Sequence, residues 1–196
     1  TLLSGWIPTI TNLTETSFAV QWPLFTNQIN QTVSAYIVFV NWTTVYGGQK
    51  VTGRIVSSNA TLTTIRRIPS YQNYQVIVCA VDVSGRPFNS SAVYVRTLEG
   101  VPNAAPYIYG WKANMAENSV RFHIYPIRER FHRGKLLGYQ ITYFQLGRED
   151  NKTVIQVDPS TQTVTLSSLI NGKIYLVFIA GFTIRGTGPS SQYAAT

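Results

Sequence analysis

The stretch Ile68-Pro-Ser-Tyr-Gln-Asn-Tyr74-Gln-Val-Ile-Val-Cys-Ala80 returns 101 residues later as Leu169-Ile-Asn-Gly-Lys-Ile-Tyr175-Leu-Val-Phe-Ile-Ala-Gly181. In each copy an apolar residue precedes a tyrosine by six positions, and a run of alternating apolar residues follows. Working outward, Ser17–Trp22 matches Ser119–Ile124 at an offset of 102. Ala35–Val40 matches Gly138–Tyr143 at 103, and Gly85 matches Gly186 at 101. A drift of one or two residues is what loops of unequal length produce, so the chain reads as an internal duplication. It divides into domains at 1–99 and 100–196.

Each copy alternates with period two. Phe18, Val20 and Trp22 fall on one side, as do Tyr36, Val38 and Val40, and Tyr74, Val76, Val78 and Ala80. Alternation with β-branched and aromatic enrichment is the mark of half-buried strands. Turn clusters separate the runs at Tyr46–Gln49, Ser57–Asn59, Asp82–Gly85 and Asp158–Ser160. No helical period is sustained. Short strands spaced through about 100 residues indicate a β-sandwich. Thr97–Pro106, with two prolines and a glycine, reads as a stiff linker. Leu2–Pro8 reads as the tail of another such linker.

The fold class expected is therefore all-β, two seven-stranded sandwiches in tandem. The residues that carry the pattern resemble the fibronectin type III domain, twice. They are Trp22, Tyr36, Ile68 with Tyr74, Gly85 and Ser90-Ser91 in the first copy. In the second they are Tyr139, Leu169 with Tyr175, Gly186 and Ser190-Ser191. The resemblance implies that Tyr74 and Tyr175 are corner tyrosines whose phenols bond nearby backbone. The second copy departs at Ile124, which replaces Trp22; its core is expected to pack differently, with help from Trp111. The spacing of an immunoglobulin disulfide is absent, and one cysteine cannot make an internal bridge.

Composition excludes much chemistry. The chain has 196 residues, 44% hydrophobic, so each copy can fill a core, but only 12% charged, about half the usual share of roughly 25%. Eight acids, two histidines and one cysteine leave little for a metal cage, a thiol centre or paired carboxylates. No enzymatic activity, catalytic residue, metal or cofactor is expected. The longest apolar run, Tyr175–Phe182, is far short of the roughly 20 residues of a spanning helix. No leader opens the chain, which reads as a fragment or the mature part of something longer.

Asn-x-Ser/Thr sequons stand at Asn12, Asn30, Asn41, Asn59, Asn89 and Asn151, where chance gives about two. The excess points to an N-glycosylated, extracellular chain, either the ectodomain of a cell-surface membrane protein or a secreted one. Five of the six lie in the first copy, which leaves the second barer for contacts. Net charge is +8, split +3 and +5 between the copies.

Two surfaces stand out. If Tyr36 and Tyr74 face inward, then Ile37, Phe39, Ile77, Cys79 and Val81 face outward, as do Leu176, Phe178 and Phe182 in the second copy. An apolar outward face marks a contact with another extracellular protein, the same chain included. Cys79 there is a free thiol. The loop Arg128-Glu-Arg130-Phe-His132-Arg133-Gly-Lys135 is suited to an acidic protein face or a sulfated glycan; nucleic acid is not an expected partner. At Arg185-Gly186-Thr187 a threonine stands where some fibronectin domains carry the acid of an integrin motif, so no integrin binding is expected. The resemblance implies a non-enzymatic segment of a receptor or adhesion protein, providing contacts and spacing. The competing readings are a rigid glycosylated spacer and a cytokine-receptor-like pair.

Overall fold

The computed structural model describes residues 5–25 and 32–195. The chain divides into two compact units, Thr1–Leu98 and Glu99–Thr196, each a sandwich of two antiparallel sheets. No α-helix occurs among the described residues.

In the first unit the smaller sheet has the order β1 (Thr9–Thr11), β2 (Ser17–Gln21), β5 (Leu62–Arg66). The larger has the order β4 (Gln49–Ser57), β3 (Val33–Thr43), β6 (Asn73–Asp82) and β7 (Pro87–Asn89), with β8 (Val93–Arg96) also on β6. The alternating residues do as the pattern requires: Tyr36, Val38, Val40, Tyr74, Val76 and Val78 are all buried. They meet Phe18, Val20 and Trp22 from the facing sheet. Aromatic rings fill much of this gap, with Trp22 tilted on Tyr36 at 5.5 Å and Phe18 edge-on to Tyr74 at 5.7 Å.

The last strand of this unit is broken in two by Ser90. Its hydroxyl accepts the Val78 N–H at 3.0 Å and its own N–H reaches the Val78 carbonyl at 2.8 Å. A side chain thus takes a place in the backbone ladder, and β7 and β8 part around it.

The second unit repeats the plan with a continuous last strand. The smaller sheet runs β13 (Thr163–Leu166), β10 (Ser119–Tyr125), β9 (Tyr107–Asn114). The larger runs β12 (Thr153–Val157), β11 (Gly138–Gln145), β14 (Tyr175–Thr183), β15 (Gly186–Ala195). Its core is mainly aliphatic: Ile108, Ile124, Ile127, Ile141, Val164, Leu166, Val177 and Ile179 around Phe122 and Tyr139. The bond that starts the second strand pair is kept, since Trp22 N–H reaches the Thr61 carbonyl and Ile124 N–H reaches that of Gln162. So is the anchor of the third strand. Tyr36 accepts the Phe25 N–H at 2.8 Å, and Tyr139 accepts the Ile127 N–H at 3.2 Å. Burial raises the Tyr139 phenol above its ordinary value, and the Ile127 bond partly offsets that.

Three expectations are corrected. Trp111 is 54% exposed and takes no part in the core. A bulge at Gly110, with φ of 67°, breaks the alternation of β9, so that Tyr109 to Lys112 are exposed in succession. Trp6 belongs to no linker: it is buried against Phe25 and Tyr36, and its indole N–H reaches the Pro23 carbonyl. Most of Thr97–Pro106 is likewise folded into the units. Thr97 donates to the Pro69 carbonyl in the first; Gly100 and Asn103 donate to Arg133 and Phe131 in the second, where Pro102 and Pro106 are buried.

Candidate functional site

Among the described residues no three His, Cys, Asp or Glu side chains converge. What the molecule offers is surface, in four places.

The first is the outer face of the larger sheet in unit one. Ile37, Phe39, Ile77 and Val81 alternate with core residues and are half-buried. Their cover comes from the sheet itself: the Phe39 ring lies against Gly53, opposite it on β4. The rim is more open, with Val51 at 65% and Ile55 at 73% exposed. Cys79 lies on this face but is buried, opposite Ile37 on one side and Asn89 on the other. Burial raises its thiol above the ordinary value, more than the Phe88 bond lowers it. That protonated, covered thiol is a poor candidate for pairing with another chain.

The second is the matching face of unit two. Phe178 stacks on Phe144 at 5.7 Å, Phe182 packs over Gly138, and Leu176 stands opposite Phe144. These rings are half-buried by one another. Gln140, Gln156 and Gln192 are in register among them, so this face is more polar than its counterpart.

The third is the basic connection between β10 and β11, which contains a short 3-10 helix, Glu129–Phe131. Arg128, Arg130 and Lys135 are exposed, and the Arg130 guanidinium lies 4.6 Å from the Phe131 ring centre. His132 and Arg133 are half-buried and serve the connection itself. His132 Nε2 donates to the Ile127 carbonyl at 2.8 Å, and the Arg133 carbonyl accepts from Gly100. The five residues read together in the sequence therefore split into three open cations and two framework groups.

The fourth was missed in the sequence. On the outer face of β9 and β10, Tyr107 (62%), Tyr109 (48%) and Tyr125 (54%) are exposed. Tyr109 stacks on His123 at 5.5 Å and meets Tyr125 edge-on at 6.4 Å. Arg121 and Lys112 are directly opposed in register at the other end. Three tyrosines held out from one sheet face, next to two cations, are unusual on a solvated strand face.

Of the sequons, Asn12, Asn59 and Asn151 are exposed, while Asn41 and Asn89 are half-buried on the outer face of unit one's larger sheet. Asn30 lies outside the described residues.

Against solved structures, the chain resembles the crystal structure of the chicken CNTN1 FN1–FN3 domains. The TM-score is 0.65 at 18% identity, over 95% of this chain and 64% of that one. The chain is a pair of fibronectin type III domains. No family model matches it. Among curated proteins it is 31% identical, over 98% of its length, to MAM and fibronectin type III domain-containing protein 1 of the coral Acropora millepora. It is 29% identical over 66% of its length to human neogenin. The chain spans 45% of the coral protein and 9% of neogenin.

Within this fibronectin pair, the aromatic face of domain 2 had a readable signal. Tyr107-Ile108-Tyr109 alternates in and out like any strand, and aromatics at both outward positions were there to be counted.

Proposed function

We propose that these two fibronectin domains form a non-enzymatic extracellular segment of a cell-surface receptor or adhesion protein, and that domain 2 docks another extracellular protein through its exposed aromatic face. The observation that carries this is the set Tyr107, Tyr109 and Tyr125, held open to solvent on the same face as Arg121 and Lys112. Tyrosine, tryptophan and arginine are the residues that anchor protein interfaces, because rigid rings bury much area at little entropic cost. The extracellular placement is supported by the sequon excess and by relatives such as the coral protein.

The test is saturable binding of the secreted, multimerised pair to animal cell surfaces, which raises weak affinities to a measurable level. A Tyr109→Ala/Tyr125→Ala variant with unchanged melting is expected to bind at least tenfold more weakly, as loss of a hot spot implies. Full binding by that variant would place the contact elsewhere. No saturable binding by any form would favour the spacer.

A second reading rests on the open cations Arg128, Arg130 and Lys135, which suit a sulfated glycan. Treating the cells with heparinase separates the two: binding lost with the glycan belongs to this connection, and binding kept belongs to the aromatic face.

A further inference from the structure

We infer that Asn41 carries an N-glycan whose first sugar lies in the groove beside it and covers the apolar outer face of domain 1, closing that face to partners. The inference rests on the extracellular reading above, since the sugar is added only in the secretory lumen.

The strand geometry sets the position. Phe39 and Asn41 are two residues apart on β3 and share a face. Asn41 is opposed by Val51 on β4 and by Gln75 on β6, and Gln75 by Tyr94 on β8. Beside it is a groove of about 350 Å³ lined by Val51, Lys50, Gln75, Tyr94 and Trp42. That lies at the lower end of the roughly 300–1,000 Å³ of small-molecule sites. Tyr94 is 76% exposed at its edge and offers a ring to the C–H face of a pyranose. At the far end of the same sheet face stands Asn89, opposite Cys79. The two sequons bracket Ile37, Phe39 and Ile77.

The hydrogen bonds at Asn41 are half complete. Its Nδ2 donates to Gln75 Oε1 at 3.1 Å, and Gln75 Nε2 donates to the Tyr94 hydroxyl at 3.0 Å. Asn41 Oδ1 is buried and has no partner among the described residues. A buried acceptor left unpaired is costly and calls for an explanation. Sugar hydroxyl and N-acetyl groups bring donors to that place. The covalent step leaves the existing bond intact. The Nδ2–C1 bond forms, the C1–O bond to the pyrophosphate of a lipid-linked oligosaccharide breaks, and one Nδ2 proton is lost to the enzyme's base. Nδ2 keeps one hydrogen to donate to Gln75 Oε1. Transfer occurs on the extended chain before folding, so half-burial of Asn41 in the fold is no obstacle.

The experiment uses the pair secreted from animal cells. Glycopeptide mass mapping reads occupancy at each sequon. Thr43→Ala removes the sequon without touching Asn41, and Thr43→Ser keeps it. Asn41 is expected to be occupied. Thr43→Ala is expected to bind an apolar fluorescent dye at least twice as strongly and to lower domain 1 melting by about 3 °C, with Thr43→Ser like the wild type. Asn41 empty while other sequons are filled overturns the inference. So does an occupied Asn41 whose loss changes neither dye binding nor melting, a Thr43→Ser variant that changes as much as Thr43→Ala, or a glycosylated dimer that a charge at Phe39 dissolves. A secreted protein with no sequon filled overturns the glycoprotein reading beneath it as well.

Discussion

The two domains share a plan and reach it with different materials. Domain 1 fills its gap with Trp6, Phe18, Trp22, Phe25, Tyr36 and Tyr74; domain 2 uses isoleucines, valines and one leucine around Phe122 and Tyr139. The polar fixings differ position by position. Ser90 enters the ladder by accepting the Val78 N–H at 3.0 Å, whereas Ser191 only reaches the Ile179 carbonyl at 3.5 Å. The corner tyrosines bond in opposite senses: Tyr74 donates to the Pro69 carbonyl and Tyr175 accepts from the Ile170 N–H. The turn before the last strand is organised by Asp82 in domain 1 and by Thr183 in domain 2. A sandwich thus tolerates wide exchange of its fillings while the backbone bonds at Tyr36 and Tyr139 stay fixed.

The sharpest way to break the comparison is Trp22→Ala. The indole is 2% exposed, and emptying its site is expected to cost domain 1 roughly 3–5 kcal/mol. Calorimetry should show that transition fall while the domain 2 transition holds; a joint fall would mean that the two units do not melt independently. Gly181→Ala tests the other side. Domain 1 has Ala80 at this position, but a methyl at Gly181 would come within 2.5 Å of Ile127 Cδ1 and 3.1 Å of Leu136 Cδ1. The aliphatic core of domain 2 is packed around a missing methyl, and restoring it is expected to destabilise that domain by about 1–3 kcal/mol. A neutral result would show the core to be loose there.

Removing the corner hydroxyls is a smaller change. Tyr74→Phe is expected to cost roughly 0.5–1.5 kcal/mol, since its phenol is deeply placed and burial already pushes it well up. Tyr175→Phe should cost less, because Ile170 is exposed and water can replace the lost acceptor. Equal costs would show that the sense of the bond is immaterial. The smallest difference is expected in acid. Bonds from the Ser84 hydroxyl and the Arg86 N–H hold the Asp82 carboxyl below the ordinary 3.8. Its contribution is complete above that value and is lost as pH falls through the lower, folded one. Domain 1 should therefore lose melting temperature below about pH 4 relative to Asp82→Asn, and domain 2, with Thr183 there, should not change with that variant.

The duplication, the strands and the positions of Tyr36, Tyr74, Tyr139 and Tyr175 were legible because period two and a fixed offset are properties of the chain alone. Trp111 was misread because one extra residue, Gly110, breaks the period, and a bulge leaves no mark other than a glycine. Trp6 was misread because Gly5 and Pro8 make its surroundings look like a connection, although a neighbouring sheet was waiting for an aromatic. The direction of the corner bonds could not be read, since both tyrosines obey the same spacing. Outward residues such as Phe39 and Phe178 were placed on the right faces, but their half-burial depends on Gly53 and Phe144, which lie on other strands.

Cys79 gives the molecule a clock. The one thiol in the chain is buried between β3 and the short strand β7, which holds only three residues. A thiol-reactive probe can advance only when the packing around that thiol opens. The pace of labelling therefore counts local openings of this sheet, a motion too brief and too local for melting curves to register.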